Sequence, residues 1–268
     1  MTLATAPARH PDLALMPGDT CYDPRAFGQM MRLVTDLRRM YRERNEALQE
    51  VARAHHEALF RLALAAETRD DETGVHIVRI GFLAEAIAAD LAQGRRPAGM
   101  AADDAAMLRQ AAPLHDVGKI GIPDGVLKKP GPLLADERAV MDQHPQLGAG
   151  ILGQSRIPLF RMAADVALTH HERWDGTGYP NRLRGEQIPL CGRVVAVVDF
   201  FDALTMDRCY RRAFADEQAL DMLRALRGRA FDPRLVDVFL AAAPRFVELR
   251  DRINAQTLQV HGGYGYTR

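Results

Sequence analysis

The chain is poor in cysteine and in long apolar runs, and neither sign of charge is in excess. Its three cysteines, Cys21, Cys191 and Cys209, lie far apart and form no Cys-x-x-Cys pair. A disulfide framework and a thiolate zinc site are therefore disfavoured, and a reducing compartment is expected. No stretch of about 18 apolar residues suggests a membrane span, and no apolar core of a secretory signal follows the N-terminus. We therefore expect a cytoplasmic protein.

Charge and composition narrow the class of partner. Lys plus Arg and Asp plus Glu both number 35, so net charge favours neither a polymeric nucleic acid nor an acidic membrane. A local basic patch could still bind a small anion. The hydrophobic content of 47% and charged content of 26% are ordinary globular values, and 268 residues suffice for one good-sized domain with an extension or for two small domains.

The N-terminal quarter of the chain changes character at about residue 27. Residues 1–26 carry four prolines and little periodicity, which indicates a loose leader. Residues 27–66 lack proline and are rich in Ala, Leu, Arg and Glu, which predicts one long helix. Two interpretations remain open, a parallel coiled-coil dimer and an amphipathic helix that lies on its own domain. The heptad a and d positions are Val34, Leu37, Tyr41, Arg44, Leu48, Val51, His55, Ala58, Leu62 and Ala65.

The rest of the chain shows helical spacing, and no strand alternation persists, so the predicted fold class is all-α. Residues 193–204 are the ambiguous segment, because their strongly apolar character fits a strand as well as a buried helix. We predict a helix there, since the segment continues smoothly into Asp-Ala-Leu-Thr at residues 202–205.

Two short segments contain most of the information about function. Residues 114–124 read Leu-His-Asp-Val-Gly-Lys-Ile-Gly-Ile-Pro-Asp, and residues 170–180 read His-His-Glu-Arg-Trp-Asp-Gly-Thr-Gly-Tyr-Pro. Burying several adjacent titratable groups is costly unless a metal ion or pairing compensates. The two clusters, with further spaced His and Asp residues, therefore predict two or more metal ions that face a phosphate ester.

In this order the motifs resemble those of the HD-GYP domain, a branch of the HD phosphohydrolase superfamily. The resemblance covers about residues 63–243 and includes Glu-Thr-Gly-Val-His at 72–76. It implies an all-α HD-domain helical bundle at 67–246, preceded by the long N-terminal helix and followed by a tail at 247–268. It also implies two or three divalent metal ions, with Fe or Mn favoured. The ligands that it implies are Glu72, His76, His115, Asp116, His144, His170, His171 and Asp199.

The reaction that the resemblance implies is hydrolysis of cyclic di-GMP, a bacterial second messenger, to pGpG and, as a further step left open, to GMP. Asp116 would bridge two ions that generate a bridging hydroxide, and Lys119 would be the cation that faces the phosphate. Arg208 and Arg211 would clamp the second phosphate or a guanine by bidentate donation. Tyr179 would contact a guanine, or would alternatively belong to a purely structural turn.

Three acidic residues near the motifs are candidates for supporting roles. Glu72 lies four residues before His76, so on a helix both could reach a third ion, although Glu72 could equally complement a helix N-terminus. Glu172 and Asp175 are predicted to orient ligand imidazoles as hydrogen-bond acceptors.

Regulation and activity leave alternatives. Cys209 stands where the family usually has proline, which would loosen the loop that carries Arg208 and Arg211. No receiver or sensory domain is recognisable before the catalytic part, so regulation is expected through a homodimer or a separate signalling partner protein. The alternatives to a cyclic di-GMP phosphodiesterase are a non-catalytic sensor or docking module and a hydrolase of another cyclic dinucleotide or nucleotide. The complete ligand set favours an enzyme.

Overall fold

The computed structural model describes residues 24–69, 74–93, 102–207 and 212–261. Within these residues the regular structure is helical and contains no strand, so the predicted all-α class is confirmed. No helix among them combines the length and apolarity needed to cross a membrane. The α-helices are α1 Pro24–Glu67, α2 Val75–Gln93, α3 Ala102–Ala111, α4 Asp124–Leu127, α5 Ala135–Met141, α6 His144–Leu152, α7 Pro158–Thr169, α8 Leu190–Thr205, α9 Asp216–Ala225, α10 Pro233–Ala241 and α11 Ala243–His261.

The burial of the side chains of helix α1 differs between the two compact units of the chain, Met1–Arg53 and Ala54–Arg268. In the first unit, large apolar side chains of α1 are exposed, and Leu37 and Leu48 are each 55% exposed. In the second unit, the end of α1 packs on its own domain. The domain boundaries stay a prediction. The buried residues of α1 are Leu59, Ala63, Ala66 and Glu67.

Helices α2 and α8 lie at the centre of the second unit. Val194, Val195, Val197 and Val198 of α8 are fully buried, and no residue of this helix is exposed, so α8 is a core helix. The predicted helix at residues 193–204 is thus confirmed. Phe201 of α8 packs on Phe239 of α10, which stacks on Phe246 of α11, with ring centroids 4.9 and 4.8 Å apart. These contacts fix α8, which carries a predicted metal ligand, against the C-terminal helices.

A second apolar cluster joins the end of α1 to α2, α6 and α7. Next to it, the short 3₁₀ helix Val117–Gly121 lies very close to α6. A Cβ atom at Gly118 would lie 1.9 Å from the carbonyl oxygen of His144, so only glycine allows this approach. Pro145 occupies the first turn of α6, where its missing N–H leaves no helical hydrogen bond unmade. The approach places the start of α6 beside Asp116.

Candidate metal centre

Seven of the eight predicted ligands lie in the described part of the chain, and the fold brings all seven together. Helix ends and short turns supply six of them, and only Asp199 comes from the middle of a helix. Glu72 lies outside the described residues. His76 is the second residue of α2, and His115 and Asp116 lie between the 3₁₀ helices Ala112–Leu114 and Val117–Gly121. His144 begins α6, His170 and His171 follow α7, and Asp199 lies in α8.

The seven side chains form two groups, each able to hold an ion. Within a group, the nitrogen or oxygen atoms that could bind metal all lie within 4.8 Å of one another. Imidazole nitrogens mixed with carboxylate oxygens suit divalent transition metals such as iron, manganese and zinc. The first group is Asp116, His144, His170 and His171, and the second is His76, His115 and Asp199.

The Asp116 carboxylate lies between the two groups. Its Oδ2 atom is 3.2 Å from Nε2 of His115, whereas its Oδ1 atom is 3.2 Å from Nε2 of His144 and 3.5 Å from Nε2 of His170. The Lys119 ammonium approaches Oδ2 to 2.8 Å. One oxygen therefore faces each group, which is the geometry that a carboxylate bridge between two ions requires.

Buried polar atoms at this point fit a metal ion. Nε2 of His115 and Oδ1 of Asp116 are buried, and neither has a hydrogen-bond partner among the described residues. Leaving such atoms unsatisfied costs about 1–3 kcal/mol each, more for a charged group. Divalent ions in the two groups would satisfy both atoms, so the residues present fit the cofactor that the motifs imply.

Three of the imidazoles are oriented by backbone carbonyl groups. Nδ1–H of His115 donates to the carbonyl of Ala112 at 3.1 Å, and Nδ1–H of His144 donates to that of Met141 at 2.8 Å. Nδ1 of His170 makes the same kind of bond inside the last turn of α7. A carbonyl oxygen can only accept, so Nδ1 carries the proton and Nε2 presents its lone pair to the centre.

The fourth ring, His76, is oriented by a carboxylate that the sequence analysis did not assign to the site. Its Nδ1 atom lies 2.7 Å from Oδ2 of Asp202, whose carboxylate also accepts from Nε and Nη2 of Arg79 at 2.6 and 2.8 Å. Burial opposes ionisation of Asp202, but these two partners hold its pKa at about 2. The i,i+3 spacing of Asp199 and Asp202 on a helix was the signal that could have found it.

The prediction that Glu172 and Asp175 orient ligand imidazoles is wrong. The buried Glu172 carboxylate instead accepts from the backbone N–H groups of Asn181 and Leu183, at 2.7 and 3.0 Å. Asp175 accepts from the backbone and the hydroxyl of Thr177. Both carboxylates therefore shape the loop that contains the Gly-Tyr-Pro motif, because they satisfy N–H groups that the loop leaves without backbone partners.

The Gly-Tyr-Pro turn lies directly against the ligand pair that precedes it. A Cβ atom at Gly178 would lie 2.3 Å from the backbone nitrogen of Arg173, so the turn can approach this closely only with glycine. The half-buried ring of Tyr179 stacks on the ring of His171, with centroids 4.8 Å apart and an interplanar angle of 26°. Tyr179 thus fixes a predicted ligand, and its contact with a guanine stays a prediction.

Protonation in the cluster suits metal binding. Burial is the main reason why the pKa of His170 lies below its usual value and that of His171 well below it. Burial also lowers the pKa of His115, but the Asp116 and Asp199 carboxylates together more than offset this and raise it. Burial opposes ionisation of Asp116, yet Lys119 and His115 hold its pKa well below the usual range. Ionised Asp116 and neutral His170 and His171 are the forms that bind metal.

Two residues at or just after the end of α1 contact the candidate centre or the segment beside it. Glu67 is buried, with Oε1 4.0 Å from Nε2 of His76, and no motif pointed to it. Arg69 donates to the carbonyl groups of Ile120 and Ile122 and to Asp124, in the segment that follows Lys119.

Arg208 and Arg211, the predicted substrate clamp, and Cys209 between them lie outside the described residues. The flanking residues are joined, because Oδ1 of Asp207 accepts from the backbone N–H of Ala213 at 2.7 Å.

Fold and site together define a helical domain built around a candidate centre for two or more metal ions. Comparison with known proteins gives its family. The family described as HD domain matches residues 37–235, so this chain belongs to the HD domain family and the family expected from the motifs is confirmed.

Similar proteins include a 3'3'-cGAMP-specific phosphodiesterase 2 of Vibrio cholerae, 44% identical over 72% of this chain and 36% of the relative. The cyclic di-GMP phosphodiesterase response regulator RpfG of Xanthomonas campestris is 45% identical over 72% of this chain and 50% of its own. The chain thus spans half or less of the length of these two relatives. A crystal structure of a cyclic GMP-AMP specific phosphodiesterase of V. cholerae has the same fold, with a TM-score of 0.51 and 22% identity over 74% of this chain and 52% of that one.

Proposed function

We propose that this protein is a metal-dependent phosphodiesterase that hydrolyses cyclic di-GMP to pGpG, and in a further step to GMP, in bacterial second-messenger signalling. The observation that carries the proposal is the Asp116 carboxylate, whose two oxygens face two separate groups of imidazole and carboxylate side chains. Two ions held a few ångströms apart are the usual arrangement for in-line displacement at phosphorus. The relatives named above act on cyclic dinucleotides, which supports this class of substrate.

The residues divide into those that would hold the ions and those that would face the substrate. The two groups would each hold one ion, Fe or Mn, with Asp116 as the bridge and Glu72 as a ligand of a third. The chemistry that the bound ions would supply is activation of water as the nucleophile, shared between two ions as the bridging hydroxide that the family resemblance implies.

Lys119 would contribute positive charge at the reacting phosphate. Its ammonium group lies 2.8 Å from Oδ2 of Asp116, at the edge of the candidate centre. Negative charge that develops on the non-bridging phosphate oxygens is stabilised best by donors already held in place. The contact with Asp116 holds the Lys119 ammonium in this way. Arg208 and Arg211 would bind the second phosphate or a guanine, and Tyr179 would contact a base at the exposed edge of its ring.

A second candidate substrate is 3'3'-cGAMP, which the name of the V. cholerae relative specifies. The two cyclic dinucleotides differ in one base, so the contacts of the metal ligands and Lys119 with the phosphates would be the same for both. Base contacts would therefore decide between them. A non-catalytic sensor is disfavoured, because each ligand position in the described part of the chain carries a residue able to bind metal.

The test is turnover by protein purified without oxygen and supplied with Fe(II) or Mn(II), with cyclic di-GMP and 3'3'-cGAMP assayed in parallel and products separated by chromatography. The expected result is conversion of cyclic di-GMP to pGpG or GMP, lost when His115 and Asp116 are both replaced by alanine. His55→Ala with His56→Ala is the matched control, since both rings are exposed on α1. Faster turnover of 3'3'-cGAMP would assign the second substrate, and turnover of neither would refute the proposal.

We also propose that residues 24–53 of α1 pair with a second copy of the chain as a parallel coiled coil. At heptad positions in this segment, Leu37, Tyr41, Leu48 and Val51 are all more than half exposed. A single helix with such a seam is stabilised when the seam is buried against an identical one. Sedimentation velocity should show a dimer for the wild type and a monomer for Leu37→Lys with Leu48→Lys. A monomeric wild type at micromolar concentration would refute this proposal without bearing on the metal centre.

A further inference from the structure

Asp202 and Asp199 lie on the same face of α8, and each places a carboxylate oxygen near one of the two nitrogens of the His76 ring. Oδ2 of Asp202 lies 2.7 Å from Nδ1 of His76, and Oδ1 of Asp199 lies 3.7 Å from Nε2 of the same ring. The side chain of Asp202 is only 1% exposed. Asp199 is therefore placed to bind an ion together with His76, whereas Asp202 acts on that ion only through the imidazole.

Both oxygens of the Asp202 carboxylate accept hydrogen bonds from buried side chains. Three donors converge on its two oxygens, because Oδ2 accepts from His76 and from Nη2 of Arg79, while Oδ1 accepts from Nε of Arg79. Arg79 lies one helical turn after His76 in α2 and is itself buried. Its remaining Nη1 atom donates to Oδ1 of Asn254 in α11 at 3.0 Å. Neither the carboxylate nor the guanidinium can rotate without losing a hydrogen bond in a buried place.

Two of the three candidate ligand rings of the other group are oriented differently. Nδ1–H of His144 and Nδ1–H of His170 donate to backbone carbonyls, which are neutral acceptors. A carboxylate acceptor makes the imidazole a stronger ligand than a carbonyl does, because negative charge beyond the ring increases the basicity of the nitrogen that faces the ion. His115, which shares the group of His76, also donates to a carbonyl. The additional charge therefore acts on one ring of one group.

We infer that Asp202 and Arg79 form a positioning pair that makes the two metal sites unequal, so that occupancy of the site formed by His76, His115 and Asp199 depends on the Asp202 carboxylate. Occupancy of the site formed by Asp116, His144, His170 and His171 does not. The inference rests on the proposed metal centre. It adds that the two ions differ in affinity and that residues outside both ligand groups set the difference.

The test is Asp202→Asn. An asparagine has one side-chain oxygen, so it must turn an NH₂ group toward either His76 or Arg79, both of which are donors. Outer-shell partners of this kind typically change metal affinity by about 10–100-fold. We expect anaerobic titration of chelator-treated protein with Mn(II), followed by the electron paramagnetic resonance signal of free Mn(II), to show one ion bound about 10–100-fold more weakly and the other unchanged.

The matched control is Asp232→Asn. Asp232 is equally buried, with a side chain 1% exposed, and accepts from Nη1 of Arg193 at 2.6 Å. Its hydrogen-bond partners in the described part of the chain are Arg193 and the backbone of Arg234, neither a predicted ligand. Asp232→Asn should lower stability and leave both Mn(II) affinities at their wild-type values. Arg79→Lys keeps the positive charge but cannot donate to both Asp202 oxygens, so it should weaken the binding of the same single ion. This variant replaces Asp202→Asn in the test if Asp202→Asn does not fold.

The outcomes separate this inference from the proposed function. Equal weakening of both ions, no change in either, or the same change in the Asp232→Asn control would overturn the inference and leave the metal centre intact. Two wild-type ions with one selectively weakened in Asp202→Asn would support it. A wild type that binds no Mn(II) would refute the metal centre itself. In a His144→Ala background, where the His76 group is intact, Asp202→Asn should weaken the remaining ion by the same factor.

Discussion

Replacing Gly118 with alanine tests whether the close approach of the 3₁₀ helix Val117–Gly121 to α6 builds the metal centre. The added Cβ would lie 1.9 Å from the His144 carbonyl oxygen and 2.4 Å from the Gly148 backbone nitrogen. Both obstructing atoms belong to the backbone, so no change of side-chain rotamer can relieve the contact. To reach an ordinary separation of at least 3.4 Å, the two segments must move apart by about 1.5 Å, in an interior that is packed as closely as a crystal.

The expected loss of stability follows from that geometry. Overpacking a rigid interior costs about 1–3 kcal/mol, and backbone obstruction belongs at the upper end, so we expect about 3 kcal/mol or more. In a domain of this size that lowers Tm by about 6–12 °C. The same displacement moves His144 relative to Asp116 by about 1.5 Å, whereas metal–ligand distances tolerate only about 0.2 Å. Metal affinity should therefore fall together with stability.

The assay is urea unfolding of the metal-free protein, paired with the metal content of the reconstituted protein. Gly150→Ala is the control, because it lies in the same helix α6 and its Cβ would meet nothing within 4 Å. That substitution should stabilise the protein by about 0.5–1 kcal/mol, the usual gain from replacing a helical glycine. Wild-type stability and wild-type metal content in Gly118→Ala would refute the reasoning.

Three further predictions concern neighbouring contacts. Glu172→Gln should lower the free energy of unfolding by about 1–3 kcal/mol, since the amide NH₂ of the glutamine must face a backbone N–H. The control Glu186→Gln, at an exposed position, should change the free energy of unfolding little. Equal effects of the two substitutions in urea unfolding would contradict this prediction. Arg69→Met should lower kcat more than metal content, because it releases the segment after Lys119, and a parallel loss of metal would count against that role. The depressed pKa of Asp202 contributes stability above pH about 4 that is lost as pH falls toward 2. The stability gap between metal-free wild type and Asp202→Asn should therefore narrow by about 2 kcal/mol over that range, and a constant gap in unfolding at several pH values would refute it.

The candidate ligand positions could be picked out from the sequence because they lie in short, ordered motifs. His115 with Asp116, and His170 with His171, are adjacent in the chain, so local structure alone keeps each pair together. The helix at residues 193–204 was also predictable, since its apolar run continued into a helical motif.

The outer contacts could not be predicted, because they depend on which elements pack together. The bond between His76 and Asp202 joins positions 126 residues apart, and it exists because α2 packs against α8. Glu172 and Asp175 were assigned to ligand imidazoles because they stand beside them in sequence, but the loop's own N–H groups are closer. Glu67 belongs to no motif, and only the packing of the end of α1 brings it near His76.

The measurement that tests the central claim most directly is turnover of cyclic di-GMP as a function of the number of ions bound. Chelator-treated protein would be titrated anaerobically with Mn(II), and each point assayed for product and for bound metal. Because Asp116 is placed to join two ion sites, turnover should be absent in the metal-free protein and should rise as the second ion binds. Full turnover without metal, or none with both sites filled, would contradict the account.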